Sequence, residues 1–180
     1  AEGAEKLQGV HRELCAANPE FFSVTFGAGG STQDGTLNTV LNLKNAGSEA
    51  APHLSCVGAS REKIAELLST YKQAGIKRIV ALRGDLPSGT LEMGDFRYAS
   101  ELVSFIRETT GDHFFLEVAA YPETHPQAKS PQADVDAFLH KVACGANSAI
   151  TQYFFNADSF LYFRDQVAGH TSIPLIPGIM

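Results

Sequence analysis

The residues best suited to chemistry follow an apolar run. Residues 79–82 are all apolar, and the chain then continues with Arg83, Gly84 and Asp85. Charged side chains are costly to bury unpaired, and residues two apart on an extended chain point to the same side. A purely structural ion pair is less favoured, because it contributes little net stability compared with packed apolar residues. We therefore predict a binding site at the end of this run.

A second polar segment follows another apolar run. Tyr121, Glu123 and His125 place an aromatic ring, a carboxylate and an imidazole within five positions, and two prolines restrict the loop that carries them. The small alanines before Tyr121 would let a planar ligand stack close to the backbone. A solvated turn is the less favoured alternative.

Three further candidates leave their alternatives open. The glycine-rich segment 25–30 lacks the spacing of a dinucleotide fingerprint, so a binding role and a strand-to-helix turn are equally favoured. His53 lies in an apolar run, where a core histidine is favoured over a ligand. Gln152 is an amide in a hydrophobic segment, and ligand contact and core hydrogen bonding are equally favoured there.

Helical spacing relates four residues near position 140. They are Asp134, Ala137, His140 and Lys141. Of these, Asp134, Ala137 and Lys141 share one face of the predicted helix. Such a face is usually solvated, so this pattern alone does not indicate a site.

Two familiar kinds of catalytic site are not supported. The serines lack a glycine-framed turn and an evident base: Ser23, Ser55 and Ser148. The candidate metal ligands are scattered without a recognisable motif: His53, Asp85 and His125. We therefore expect no metal and favour an enzyme that uses an organic cofactor.

Composition narrows the class of protein. The 180 residues are 44% hydrophobic, enough for one domain with a real core, and the net charge of −6 argues against a nucleic-acid partner. Cys15, Cys56 and Cys144 lack metal spacing and are interpreted as reduced core residues. No apolar run is long enough for a membrane span, and no cleavable signal is visible. We expect a cytoplasmic protein without membrane contacts.

Short apolar runs alternate with amphipathic segments along the chain. Strands are predicted at 21–26, 51–57, 77–83, 114–121, 148–154 and 173–179. Helices are predicted at 4–17, 33–46, 60–74, 97–110, 132–144 and 158–168, with Ser60 and Asp158 as caps. This order predicts an α/β fold with a parallel sheet. Because polar residues follow nearly every strand, a TIM barrel is favoured over a doubly wound sheet.

The number of strands is too small for a closed barrel. A (β/α)8 barrel has eight strands in about 250 residues, and six are predicted here. We therefore predict a single domain, residues 1–180, that is an incomplete TIM barrel of about six β/α units. Its unpaired edge strands predict poor solubility for the isolated chain.

Five segments, each at a predicted strand end, together resemble the methylenetetrahydrofolate reductase family of bacteria. They are residues 23–28, 51–56, 81–87, 119–126 and 149–155. They occur in the same order as in the family, and the resemblance extends from about Pro19 to Met180. It implies a barrel that uses FAD to reduce methylenetetrahydrofolate to methyltetrahydrofolate, with NADH or NADPH as electron source, in one-carbon metabolism and methionine supply.

The resemblance also implies a set of FAD contacts. They are Phe26, Ala28, His53, Arg83, Gly84, Asp85, Ala99, Tyr121, His125, Ala128, Asp134, Ala137, His140 and Lys141. Within this set, Arg83 and Lys141 suit the pyrophosphate and Asp134 suits sugar hydroxyls. Catalytic roles fall to Asp85, near the flavin's pyrimidine end, and to Gln152. Thr25 and Gln152 would contact the nicotinamide and the pterin.

The family's general acid has no counterpart in this sequence. It is a glutamate on a strand that would precede residue 1, and Glu123 matches a different strand end. We therefore expect the full-length protein to be active, and to be a homo-oligomer, and the 180 residues alone to be inactive. The alternatives are an inactive FAD-binding barrel fragment and another TIM-barrel lyase or aldolase. The latter needs a metal or a Schiff-base lysine at a strand end, and Lys77 is at the wrong end.

Overall fold

Helices and strands alternate throughout the computed structural model, which describes residues 2–26, 33–85 and 94–180. The helices are α1 (Glu2–Cys15), α2 (Gln33–Asn45), α3 (Arg61–Gln73), α4 (Ala99–Thr110), α5 (Pro131–Ala143) and α6 (Ala157–Val167). The strands are β1 (Phe22–Val24), β2 (Ala50–Ser55), β3 (Arg78–Leu82), β4 (Phe115–Ala120), β5 (Ser148–Thr151) and β6 (Leu175–Ile176). Each of these elements overlaps one that the sequence predicts.

All six strands belong to one parallel sheet, in which neighbours in space are also neighbours in sequence, from β1 to β6. In the registers, Ala81 of β3 pairs with Leu54 of β2 and with Val118 of β4. Within the described residues, β1 and β6 are the two edges of this sheet. The arrangement is a partial (β/α) barrel, as predicted, and it gathers the carboxyl ends of the strands at one rim.

Alternate strand residues face the helices and form the core. Ile79 and Ala81 of β3 and Leu116 and Val118 of β4 pack in one buried cluster with helix residues such as Leu102. The intervening residues of these strands point to the opposite, inner face of the sheet. On the inner face, β3 is apolar after Arg78, whereas β4 carries the buried Glu117.

A buried ionic cluster lies at the amino end of the strands, away from the rim that carries the candidate site. Glu117 of β4 is fully buried, and its carboxylate accepts hydrogen bonds from Arg78 and Ser148. Arg78 Nη2 also donates to Glu20 Oε1 at 2.6 Å. The rings of Phe21 and Phe115 flank the Arg78 guanidinium, with their centroids 4.3 and 4.4 Å from its Cζ. Burial raises the pKa of Glu117, and the hydrogen bond from Arg78 opposes that rise.

Of the two predicted helix caps, one is confirmed. Ser60 caps α3 and accepts a hydrogen bond from the Lys63 amide at 3.3 Å. Asp158 does not cap α6, because Asn156 precedes the helix and accepts from the amide of Asp158 at 2.9 Å. A short side chain two residues ahead reaches that amide, so the helix starts earlier than predicted.

The cysteines differ in their surroundings. Cys56 is a fully buried core residue, and burial raises the pKa of its thiol to about 11. Cys144 is partly buried and packs against the core, as predicted, whereas the prediction of a core role is wrong for the exposed Cys15. Among the described helices, none has the length and apolar character that a membrane span requires.

Tyr71 of α3 provides a stability test. Its side chain is fully buried, and its hydroxyl has no hydrogen-bond partner among the described residues. Burial raises its pKa to about 12. Removing an unsatisfied buried hydroxyl relieves a desolvation cost, so we expect Tyr71→Phe to preserve stability or raise it by up to about 1 kcal/mol. Chemical denaturation measures this, and a clear loss of stability would reveal a partner for the hydroxyl.

Candidate active site

A cleft of about 680 Å³ lies at the carboxyl ends of β3 and β4. Its walls come from the residues that follow these two strands, from the amino end of α4 and from one face of α5. The volume falls within the range of small-molecule and cofactor sites. This rim is also where parallel barrels bind their ligands.

The turn after β3 forms one wall of the cleft. Arg83 and Asp85 both line it, but no ion pair within 4 Å joins them, so the alternative of a structural pair is not supported. Arg83 Nη2 instead donates to Gln127 Oε1 at 2.6 Å. Gly84 has a φ of +84°, which brings the turn against Ser55 of β2. The Ser55 hydroxyl donates to the Arg83 carbonyl at 2.9 Å.

The loop after β4 forms an ordered second wall. The rings of Tyr121 and His125 meet edge to face with centroids 4.5 Å apart, and both residues line the cleft. The backbone amide of His125 donates to Asp134 Oδ2 at 2.9 Å. The imidazole Nδ1 of His125 accepts from the Gln127 amide at 3.0 Å. A neutral His125 therefore carries its proton on Nε2. Burial raises the pKa of the Tyr121 hydroxyl, and the charge of Asp134 adds to this rise.

One face of α5 closes the cleft. Ser130 caps this helix, with Pro131 in its first turn. Asp134, Ala137 and Lys141 all line the cleft; Ala137 is exposed there, whereas Asp134 and Lys141 are partly buried. Lys141 Nζ donates to the Ala119 carbonyl at 2.6 Å. Burial lowers the pKa of Lys141 to about 8, and the carboxylate of Asp134 opposes that shift.

Most of the predicted FAD contacts gather around this cleft. Eleven of the fourteen line it: Arg83, Gly84, Asp85, Ala99, Tyr121, His125, Ala128, Asp134, Ala137, His140 and Lys141. Phe26 and His53 are partly buried and lie outside the lining, and burial lowers the pKa of His53. Ala28 lies outside the described residues.

The two predicted substrate contacts stand at the same rim, outside the cleft lining. Thr25 directly follows β1, and its carbonyl accepts from Thr36 Oγ1 at 3.1 Å. Gln152 follows β5 and is exposed, so a core hydrogen-bonding role for it is wrong. Its Oε1 accepts from the Tyr153 amide at 3.2 Å. Contact with a substrate stays a prediction for both residues.

Five polar residues that the sequence did not single out also line the cleft: Tyr98, Ser100, Glu101, Gln127 and Lys129. Glu101 accepts from the amides of Arg97 and Tyr98 at 2.6 and 3.3 Å, and so organises the start of α4. A glutamate three residues after the cap position is a readable signal of this role. Gln127 holds Arg83 from a position 44 residues away, and no local pattern predicts that pairing.

Taken together, a parallel strand–helix repeat and a polar cleft at the carboxyl rim define the chain as part of a (β/α)-barrel protein. Solved structures share this fold. A protein of Clostridium thermocellum, described as binding two copies of 5-methyl-5,6,7,8-tetrahydrofolic acid, superposes with a TM-score of 0.62 at 16% identity, over 96% of this chain and 59% of that one. Oxaloacetate acetylhydrolase superposes with a TM-score of 0.60 at 13% identity, over 92% of this chain and 61% of that one. Identities this low establish the fold alone.

The chain belongs to the methylenetetrahydrofolate reductase family, whose model matches residues 1–180. It is 48% identical to the 5,10-methylenetetrahydrofolate reductase of Pectobacterium carotovorum and 46% identical to that of Escherichia coli, in both cases over 93% of this chain. It is 39% identical to a probable methylenetetrahydrofolate reductase (NADH) of rice over 99% of its length, and 33% of that relative is covered. The chain spans 55–56% of the two bacterial relatives, about half their length.

Proposed function

We propose that the full-length protein containing this chain reduces 5,10-methylenetetrahydrofolate to 5-methyltetrahydrofolate, with FAD as bound cofactor and NADH or NADPH as electron donor. Membership of the family supports the reaction. The observation that carries the cofactor assignment is that eleven residues predicted as FAD contacts line one cleft. The lyase or aldolase alternative has no such support.

The cleft has the chemical character that a flavin dinucleotide requires. Lys141 is largely buried, and the structure gives its ammonium group one described hydrogen-bond acceptor for three N–H donors. Such a group favours an anionic oxygen close by. Arg83 and Lys129 add further cations to the same lining, and small side chains such as Ala99 and Ala137 leave room for close approach. The residues present therefore fit a ligand with a pyrophosphate and a flat, partly apolar body.

Each wall has a proposed task. Arg83 and Lys141 would bind the pyrophosphate, and Asp134 would accept from sugar hydroxyls through the oxygen that does not bind the His125 amide. Tyr121 would pack against the body of the cofactor. Bound FAD would supply hydride transfer, taking a hydride from the nicotinamide and passing it to the folate.

Asp85 has a proposed electrostatic role. Its carboxylate lies on the turn that also carries Arg83, and it lines the cleft without an ion-pair partner among the described residues. A negative charge at this position would disfavour additional negative charge on the reduced cofactor and so promote hydride release. Thr25 and Gln152 would contact the substrates from the ends of β1 and β5.

The low pKa of Lys141 predicts that FAD binding weakens in alkaline solution. In the free protein the ammonium loses its proton near pH 8, which removes a charge that the pyrophosphate would pair with. We expect the FAD dissociation constant to rise by up to about tenfold per pH unit above pH 8. The rise should end where the pH passes the pKa of Lys141 in the FAD complex, which is higher than in the free protein.

Fluorescence titrations of FAD between pH 7 and 10 measure this dependence. Riboflavin has no pyrophosphate and serves as the ligand control, for which a flat profile is expected. The Lys141→Arg variant keeps its charge over this range, so its FAD profile should also be flat. An equally steep FAD profile in this variant would show that another group is responsible.

Anaerobic half-reactions of the full-length protein test the proposed function itself. We expect NADH or NADPH to bleach the flavin absorbance and methylenetetrahydrofolate to restore it, with 5-methyltetrahydrofolate as product. Bleaching without restoration would contradict folate as the electron acceptor. A retained flavin that neither nucleotide reduces would support the alternative of a flavin-binding barrel without turnover.

A further inference from the structure

Glu123 is the charged residue of the loop after β4 that the cleft does not account for. It lies outside the cleft lining, and its side chain turns towards the loop after β5. There, Oε1 accepts hydrogen bonds from the amides of Phe155 and Asn156, both at 3.1 Å. One carboxylate oxygen therefore joins the two loops, and Glu123 is 32 and 33 residues from its two partners in sequence.

The two amides need a partner from outside their own helix. Phe155 and Asn156 directly precede α6, and amides at the start of a helix have no carbonyl within it to bond. Asn156 uses its own side chain to accept from the Asp158 amide, and Glu123 satisfies the residues just ahead. A carboxylate at this position also interacts favourably with the positive end of the helix dipole.

The segment 152–156 is held from its other end as well. The amide of Gly178 donates to Thr151 Oγ1 at 2.9 Å. An added Cβ on Gly178 would lie 2.3 Å from the Thr151 carbonyl oxygen and 3.1 Å from the Tyr153 nitrogen. The backbone around Gln152 is thus packed closely at its start and bonded through Glu123 at its end.

This segment presents the side chains that face the rim. Gln152 is exposed, with its Oε1 accepting from the next amide. Phe154 stacks on Phe160 of α6 with centroids 5.3 Å apart, which fixes the inner side of the loop. Phe155 is 86% exposed; its ring meets that of Tyr153 edge to face with centroids 5.5 Å apart, and its amide is bonded to Glu123.

We propose that Glu123 is a positioning residue, which fixes the loop after β5 so that Gln152 is placed for substrate binding. This inference rests on the proposed function. The geometry excludes a direct role in the cleft, because the carboxylate points to backbone amides of another loop. Glu123 thereby links the flavin side of the site, through the loop that carries Tyr121 and His125, to its substrate side.

Steady-state kinetics of the full-length protein test the inference with three variants. We expect Glu123→Ala to lower kcat/KM for methylenetetrahydrofolate by about 10- to 100-fold, because misplacing a positioning loop has effects of this size. Glu123→Gln keeps an oxygen that can accept from both amides, so it should recover most of the loss. The matched control is Glu108→Ala on the exposed side of α4, which should match the wild type.

Two readouts distinguish the positioning role of Glu123 from a role in overall stability alone. The FAD dissociation constant should change by less than about twofold in Glu123→Ala, because the cleft lining is intact. Amide hydrogen exchange at Phe155 and Asn156 should accelerate at least tenfold in that variant and stay near the wild-type rate in Glu123→Gln. Equal kinetic losses in the Ala and Gln variants would overturn the inference.

Hydrogen exchange also keeps the two proposals distinguishable. If the full-length protein does not reduce the folate, the proposed function fails, while the exchange rates still report whether Glu123 holds the loop. Unchanged exchange at both amides in Glu123→Ala would overturn the positioning role in either case.

Discussion

Replacing Gly84 with alanine is expected to destabilise the protein by about 3 kcal/mol or more and to abolish flavin binding. The φ of +84° is costly for any residue with a Cβ. The new Cβ would also lie 1.9 Å from Ser55 Oγ and 2.9 Å from Val57 Cγ1. Rotating Ser55 away would break its hydrogen bond to the Arg83 carbonyl. The strain therefore falls on the turn that carries Arg83 and Asp85.

Gly47→Ala is the matched control for this variant. Gly47 has a similar φ of +88°, but nothing lies within 4 Å of its added Cβ, so it measures backbone strain without collision. Chemical denaturation gives both stabilities, and an FAD titration gives the effect on the cleft. We expect Gly47→Ala to cost about 1–2 kcal/mol and to leave FAD binding intact. Equal losses in the two variants would contradict the close packing of Gly84 against β2.

Replacing Arg78 with methionine is expected to destabilise the protein by about 3–5 kcal/mol. The change leaves the carboxylate of Glu117 fully buried without its cationic partner. Without Arg78, the pKa of Glu117 rises further above that of the unfolded chain. A raised carboxyl pKa contributes stability at low pH that is lost as the pH rises through the folded-state pKa. The variant should therefore be closest to the wild type in acid.

Two further variants separate this effect from a surface ion pair. Glu20→Ala removes the exposed partner of Arg78 and should cost less than about 1 kcal/mol. Replacing Arg78 and Glu117 together, with methionine and leucine, removes the buried charge and should recover most of the loss. Denaturation at pH 5 and pH 8 provides the comparison. A loss in Arg78→Met no larger than in Glu20→Ala would contradict the account.

The sequence predicts the elements well because their signals are local. Continuous apolar runs such as 79–82 indicate strands covered on both faces, and every predicted helix overlaps an observed one. The end of β5 was misplaced: Tyr153 and Phe154 are apolar enough to extend the run, but the strand stops at Thr151. Gln152 then lies in the exposed loop, where it is available to a ligand.

The features that the sequence could not predict depend on distant pairings. Glu117 lies among apolar residues, and its neutralisation by Arg78 requires the register of β3 with β4. Helical spacing indicates which residues of α5 share a face, but not that Lys141 would reach the Ala119 carbonyl. For Glu123, the partners are backbone amides more than 30 residues away, and amides carry no sequence signal.

The central claim is that the cleft between β3, β4 and α5 binds FAD, and one titration tests it most directly. FAD is added to the full-length protein and to its Lys141→Met variant, and flavin absorbance is recorded after unbound cofactor is removed. We predict that the wild type retains flavin and that the variant binds it at least about 100-fold more weakly, because a nearly buried charge partner of the pyrophosphate is lost. Equal retention of flavin by both proteins would contradict the assignment of the cleft.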